Sequence, residues 1–217
     1  MPSLRQFFSH RLIWLALLVA LGIGALFART IWTIRNDEWS YAEQTNANLA
    51  RTLEAIRGAA ALGAQVLVLP ELMQSGYVFN DVQEAYALSE PLDGPTLTLW
   101  KTLASQLNLI VVAGFCERLA DGKVANSAAL IEPDGPMTVY RKAHLWDREK
   151  LIFTPGDAPP PVVETAVGRI AVMICYDLEL PEWVRRPALA GADLLCAPVN
   201  WPDGPRPAGE RPGEIVR

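Results

Sequence analysis

An α/β fold is predicted for this chain by three features of its sequence. Segments with apolar residues every three or four positions alternate with short, almost wholly apolar runs, as helices alternate with buried strands. Ionisable residues stand directly after two of those runs, and α/β folds gather their functional groups at the carboxyl ends of strands. The composition, 51% apolar and 20% charged over 217 residues, supplies chain and apolar matter for one sizeable core and excludes a disordered or collagen-like chain. With 19 basic against 24 acidic residues the formal net charge is −5, which argues against a general phosphate binder and leaves no nucleic acid among the expected partners.

Residues 1–35 differ from the rest. Residues 12–28 carry no charge and are flanked by Arg5, His10 and Arg11 on one side and Arg29 on the other. The run is shorter than the roughly 20 residues a membrane span needs, and Gly22 and Gly24 are the only small residues placed for signal cleavage. Residues 1–35 therefore read as an apolar leader, a membrane anchor through residues 12–28 or a signal, or as an atypical or misassigned start.

The alternation begins beyond it. Asn46–Leu62 places Leu49, Leu53, Ile56 and Ala60 at helical spacing, with Asn46 or Asn48 as N-cap and Gly63 as stop. Gln65–Leu69 reads as a strand buried on both faces, ending at Pro70. A helix over Thr96–Leu107 and a strand over Leu109–Gly114 follow, then a sheet segment over Ala128–Glu132 that ends in a Pro-Asp-Gly-Pro turn. Arg169–Cys175 and Ala192–Val199 read as strands, with a helix from Pro181 to Ala190 between them. The tail from Pro202 is rich in Pro and Gly and reads as irregular.

Three cysteines, Cys116, Cys175 and Cys196, are too few for a disulfide framework and show no zinc spacing. They read as reduced thiols, and no metal or cofactor is expected. Cys116 and Cys196 lie in apolar surroundings as core thiols. Cys175 closes the run RIAVMIC at a strand-to-helix turn, where a thiol is either a core residue or a nucleophile faced by backbone N–H groups. Glu71 follows VLVLP, a place for a carboxylate that is paired, catalytic or capping the next helix. Lys142, in YRKAHLW, reads alone as a surface charge. His144 is too solitary for a Cys-His dyad and reads as a neutral imidazole packed beside Trp146.

Leu69-Pro70-Glu71-Leu72 with Gly76-Tyr77, Tyr140-Arg141-Lys142 continuing through HLWDREKLIFTPGD, and Ile174-Cys175-Tyr176-Asp177 with Pro181-Glu182 resemble, in this order, the nitrilase superfamily of carbon–nitrogen hydrolases. The resemblance covers about Asn46 to Pro202 and takes in Asn126-Ser127-Ala128 and Asn200-Trp201-Pro202. It implies a four-layer α-β-β-α sandwich and a catalytic triad of Glu71, Lys142 and Cys175. Glu149, seven residues after Lys142, matches a supporting glutamate; an exposed salt bridge to Arg148 or Lys150 is its alternative. The N–H of Tyr176 would join Lys142 in an oxyanion hole, and Tyr77, Tyr176 and Trp201 would line the substrate pocket.

The implied reaction is thiol-dependent cleavage of a small-molecule amide, N-carbamoyl compound or nitrile in the cytoplasm, or at a membrane if the leader is genuine. A homodimer or higher homo-oligomer is also implied, with Trp183, Val184 and Leu189 as candidate contacts and Trp183 either an interface anchor or a core anchor. The chain departs from the family pattern at Arg29–Tyr41, where a first strand belongs, and at Arg217, where the family continues. Residues 36–217 therefore read as an incomplete sandwich lacking its C-terminal part. A membrane-linked N-acyltransferase and an inactive fragment or interaction module are the alternative functions.

Overall fold

The computed structural model describes residues 40–201, so the apolar run 12–28, the stretch 29–39 and the tail after Trp201 lie outside it. The chain divides into two compact units, residues 1–43 and 44–217, and the architecture below is that of the second. Helix α1 runs through to residue 61, followed by β1 (Val66–Val68), α2 (Val82–Leu88), α3 (Pro95–Leu107), β2 (Ile110–Arg118), β3 (Val124–Ile131) and β4 (Met137–Arg141). After a 3-10 turn at Asp147–Leu151 come β5 (Val162–Thr165), β6 (Gly168–Val172), a second 3-10 turn at Cys175–Glu179, α4 (Pro181–Leu189) and β7 (Leu194–Cys196).

The strands form two sheets, ordered β1-β2-β3-β4 and β5-β6-β7. β1 runs parallel to β2, and β6 parallel to β7; the remaining pairs are antiparallel. Side chains alternate across a strand, and here the alternation divides two cores. Val111, Ala113, Phe115, Ala129 and Ile131 face the helices and pack on Ile56 of α1 and Leu97, Trp100 and Leu103 of α3. Ile110, Val112, Ala128, Leu130 and Tyr140 face the other way, onto Ile170, Val172 and Cys196 of the second sheet and Ile174 just beyond β6. Helices, first sheet and second sheet thus make three of the four expected layers, while α4 contributes to neither core. Each fully buried Leu or Ile contributes about 1.5–3 kcal/mol. Trp100, wholly buried, also donates its indole N–H to Thr52 Oγ1 at 3.0 Å, tying α3 to α1.

Several boundaries differ from the sequence expectations. The chain is already helical at residue 40, so neither Asn46 nor Asn48 caps α1. β1 is half-buried, with Val68 39% exposed, because it stands at the end of the described sheet. The run RIAVMIC is strand only to Val172: Met173 and Cys175 bond backbone N–H groups to Cys196 and Pro198 as the chain bends into the 3-10 turn. β2 reaches Arg118 and β3 starts at Val124, because the two form a long hairpin whose register is set by pairing. α2, β4 and β5 were not foreseen. At 7, 5 and 4 residues they are too short for periodicity to reveal, and α2 is held by its Asp81 cap, which accepts from Glu84 N at 2.9 Å. No helix among the described residues is long and apolar enough to cross a membrane.

Candidate functional site

The site forms where β1, β4 and β6 end. Glu71 lies beyond β1, its N–H bonded to Val199 O after β7, so the first loop is tied to the second sheet. Gly114 of β2 allows this approach: a Cβ there would stand 2.6 Å from Leu72 N and 2.7 Å from Glu71 Cα, so a side chain would displace the glutamate. Lys142 follows β4, with its N–H bonded to Asn126 O at 2.9 Å and its carbonyl accepting from Gly156 N at 2.9 Å. A Cβ on Gly156 would meet Arg141 O, so this crossing also requires glycine. Cys175 sits at φ 44°. Leu72, next to Glu71, and Asp147, opening the Glu149 turn, also have left-handed backbones, so three of the four such non-glycine residues described flank the site. Backbone strain of this kind collects at functional loops.

Register decides which polar side chains meet. Asn126 and Lys142 share the inter-sheet face with Ala128 and Tyr140, whereas Ser127 and Arg141 point to the helix side. There Arg141 forks onto Glu117 at 2.7 and 2.6 Å and Ser127 Oγ donates to the same carboxylate at 2.7 Å, which braces the three strand ends.

On the inter-sheet face, the Lys142 ammonium donates to Glu71 Oε1 at 2.8 Å and to Glu149 Oε1 and Oε2 at 3.0 and 2.8 Å. Asn126 Nδ2 bonds the same inner oxygens, Glu71 Oε1 at 2.8 Å and Glu149 Oε1 at 3.0 Å. Trp146 N donates to Glu149 Oε2 at 2.7 Å. All four side chains are buried; Lys142 is not a surface charge and Glu149 is not an exposed partner of Arg148 or Lys150. Glu71 Oε2 and Asn126 Oδ1 are the buried side-chain atoms of the described residues left without a partner.

Burial raises the Glu71 carboxyl above its ordinary value against the pull of Lys142. Burial alone would lower Lys142, but Glu71 and Glu149 together hold its ammonium above the ordinary value. Burial and then the Glu71 charge push the Cys175 thiol up to about 12, against the Asn200 backbone N–H and the Lys142 charge. The thiol is therefore protonated at neutral pH and needs a base to become a nucleophile. Burial, together with Glu149, Glu71 and Cys175, likewise raises the Tyr77 phenol.

Cys175, Tyr77, Tyr176 and Trp201 line one cavity of about 150 Å³, joined by Trp146, Glu179 and Asn200. The N–H of Tyr176 precedes the first bond of its 3-10 turn, which runs from Asp177 N to Ile174 O. Cys116 and Cys196 are buried, as expected of core thiols. Among the described residues no group of three His, Cys, Asp or Glu side chains is arranged to hold a metal.

Two site residues escaped the sequence reading. Asn126 was only part of a matching block, although a lone amide within VANSAALI signals a buried group in need of partners. Asp177, fully buried, accepts from Tyr140 OH at 2.8 Å and Ile174 N at 3.3 Å on one oxygen. Its other oxygen meets His144 N at 3.0 Å and His144 Nδ1 at 2.8 Å. His144 bonds Asp177 and packs edge-on to Trp183, with ring centroids 4.9 Å apart. Trp183 donates to Tyr140 OH at 2.9 Å and is half-buried, tied to its own chain, while Leu189 is exposed.

Two packed sheets, with a thiol on a strained turn beside an ammonium clamped by two carboxylates, define an α/β protein with a buried Cys-Lys-Glu site. The model of the carbon-nitrogen hydrolase family matches residues 30–214, and the chain belongs to that family. It is 40% identical over 151 residues to an (R)-stereoselective amidase of Pseudomonas sp., covering 70% of this chain and 53% of that protein. Against a nitrilase of Pyrococcus abyssi the identity is 37% over 159 residues, covering 72% and 60%. An N-carbamoylputrescine amidase of Solanum lycopersicum is 33% identical over 175 residues, covering 77% and 58%. The amidase of Nesterenkonia sp. superposes with a TM-score of 0.60 at 28% identity, covering 71% of this chain and 59% of that one. A structure of a mutant of the amidase from Nesterenkonia sp. AN1 shows acrylamide added to the active-site cysteine of that protein. The chain spans about half to three fifths of the length of these curated relatives.

Proposed function

We propose that this chain carries the catalytic apparatus of a carbon–nitrogen hydrolase acting on small amides, with N-carbamoyl compounds and nitriles as neighbouring substrates. One observation carries the reading: a buried Lys142 held between Glu71 and Glu149, beside a Cys175 thiol too basic to ionise unaided.

In this mechanism Cys175 Sγ attacks the amide carbon as its proton passes to Glu71, and the carbonyl electron pair moves onto oxygen. The Tyr176 N–H and the positive charge of Lys142 stabilise that oxyanion. All three Lys142 protons already face carboxylate oxygens, so the ammonium works as a nearby charge, or frees a proton by releasing its 3.0 Å bond to Glu149 Oε1. The C–N bond then breaks and Glu71 returns the proton to the departing nitrogen. Water, losing a proton to Glu71, attacks the thioester; the acid leaves and that proton restores the thiol.

The cavity of about 150 Å³ suits a small acyl group, and its aromatic walls suit an apolar or cationic one. The test is ammonia release from a panel of aliphatic amides, N-carbamoyl amines and nitriles. Release by the wild type that disappears in Cys175→Ser supports the proposal, and a folded protein that releases none overturns it.

A further inference from the structure

We infer that Asn126 is a positioning residue that selects which oxygen of Glu71 acts as the base and keeps the two carboxylates from sharing a proton. The inference rests on the reading of Glu71 as base proposed above. Glu71 Oε1 and Glu149 Oε1 are each held by the same two donors, Lys142 Nζ and Asn126 Nδ2, in a closed four-membered set. Lys142 saturates its three protons on this cluster, and Asn126 spends its donor group entirely on it. What remains is Glu71 Oε2, buried and without a donor. It is the carboxylate oxygen open to the proton of Cys175.

The amide orientation follows from the same contacts, because an Oδ1 turned toward two carboxylate oxygens would be repelled by both. Asn126 is locked there by its backbone, which accepts from Lys142 N at 2.9 Å, so the amide and the ammonium hold a common register across β3 and β4. Four titratable groups face Glu71: Lys142 beyond β4, Glu149 on the 3-10 turn, Cys175 beyond β6 and Tyr77 on its own loop. Lys142 alone would bridge two like charges. Hydrogen bonds to an ionised carboxylate favour that form, so without the Asn126 amide Glu71 would take up a proton at higher pH and lose its capacity as base.

The test is the rate of Cys175 alkylation by iodoacetamide, read site by site by mass spectrometry from about pH 5 to about pH 9. In this reaction Sγ bonds carbon, iodide leaves and the thiol proton passes to Glu71. Glu71→Gln is expected to slow it at least ~10-fold on the plateau above the acidic limb and to remove that limb. Asn126→Leu, which keeps side-chain volume without a donor, is expected to move the acidic limb up by about one pH unit or more. Asn126→Thr, with one hydroxyl to give, should fall between, and it carries the test if the Leu variant does not fold. A limb in Asn126→Leu and Asn126→Thr identical to the wild type, even with a lower plateau, reduces Asn126 to a space-filling role. A rate indifferent to Glu71→Gln is a different failure: the base itself is then misassigned, and the positioning role falls with it.

Discussion

Glu149 accepts two hydrogen bonds from the Lys142 ammonium, at 2.8 and 3.0 Å, leaving one for Glu71. The cation therefore makes more hydrogen bonds to Glu149 than to Glu71. The cluster carries two carboxylates and one ammonium, so its stability depends on that single positive charge.

Lys142→Met leaves two buried carboxylates without a cation, a loss of about 3–5 kcal/mol for a broken buried ion pair. The Glu71 carboxyl already lies above its ordinary value near 4.5 because of burial, and losing Lys142 removes its chief opposing influence. A carboxyl raised in the folded state binds protons that the unfolded chain does not, so stability falls as pH rises above about 4.5. Urea midpoints should show the variant closest to wild type at acid pH and furthest from it at neutral pH. Lys142→Arg should lose kcat by about 10²–10³-fold, since a planar guanidinium cannot fit three oxygens gathered around one nitrogen. Turnover retained by the Arg variant would remove Lys142 from its proposed role.

Gly114→Ala forces a Cβ to within 2.7 Å of the Glu71 and Leu72 backbones. A loss of about 1–3 kcal/mol from overpacking is expected, with a fall in kcat as Glu71 shifts. Gly58→Ala is the control: it lies on the exposed face of α1, with nothing within 4 Å of the added carbon, and should gain about 0.5–1 kcal/mol. Thermal melts of the two variants should move in opposite directions.

Asp177→Asn turns one of two fully used acceptor oxygens into a donor facing donors. A cost of about 2–4 kcal/mol in chemical denaturation is expected, because buried groups on three segments lose their partner. Since Ile174 N is one of those groups, the Cys175 turn should loosen and its alkylation rate should change. A variant as stable as wild type would show that the network is decorative.

Glu179 is the carboxylate among the lining residues of the cavity that are exposed to solvent. At about 4 Å in water a unit charge contributes about 1 kcal/mol, or roughly fivefold. An amide with a distal ammonium should therefore bind a Cys175→Ser variant more tightly than its neutral isostere, read from fluorescence of the pocket residues Trp146 and Trp201. Adding Glu179→Gln should abolish that difference and leave the neutral amide unaffected.

Glu71 and Cys175 were legible in the sequence because each stands at the end of an apolar run, and Lys142, a surface charge when read alone, only because three blocks occur in one order. The alternation of helical and strand patterns also set the fold class, since burial of one face imposes its period on the chain. Short elements such as β4 and β5 escaped, because pairing and not periodicity defines them. Only the tertiary structure decided who bonds whom. Asn126 and Glu71 are 55 residues apart, Lys142 and Glu71 71, and His144 and Asp177 33. Nothing local couples such pairs. Sheet register puts Asn126 and Lys142 on one face, and the close approach at Gly114 brings Glu71 to them. Desolvation there makes every hydrogen bond count, so a side chain that the sequence marked only as part of a matching block, Asn126, holds two oxygens of the site in place.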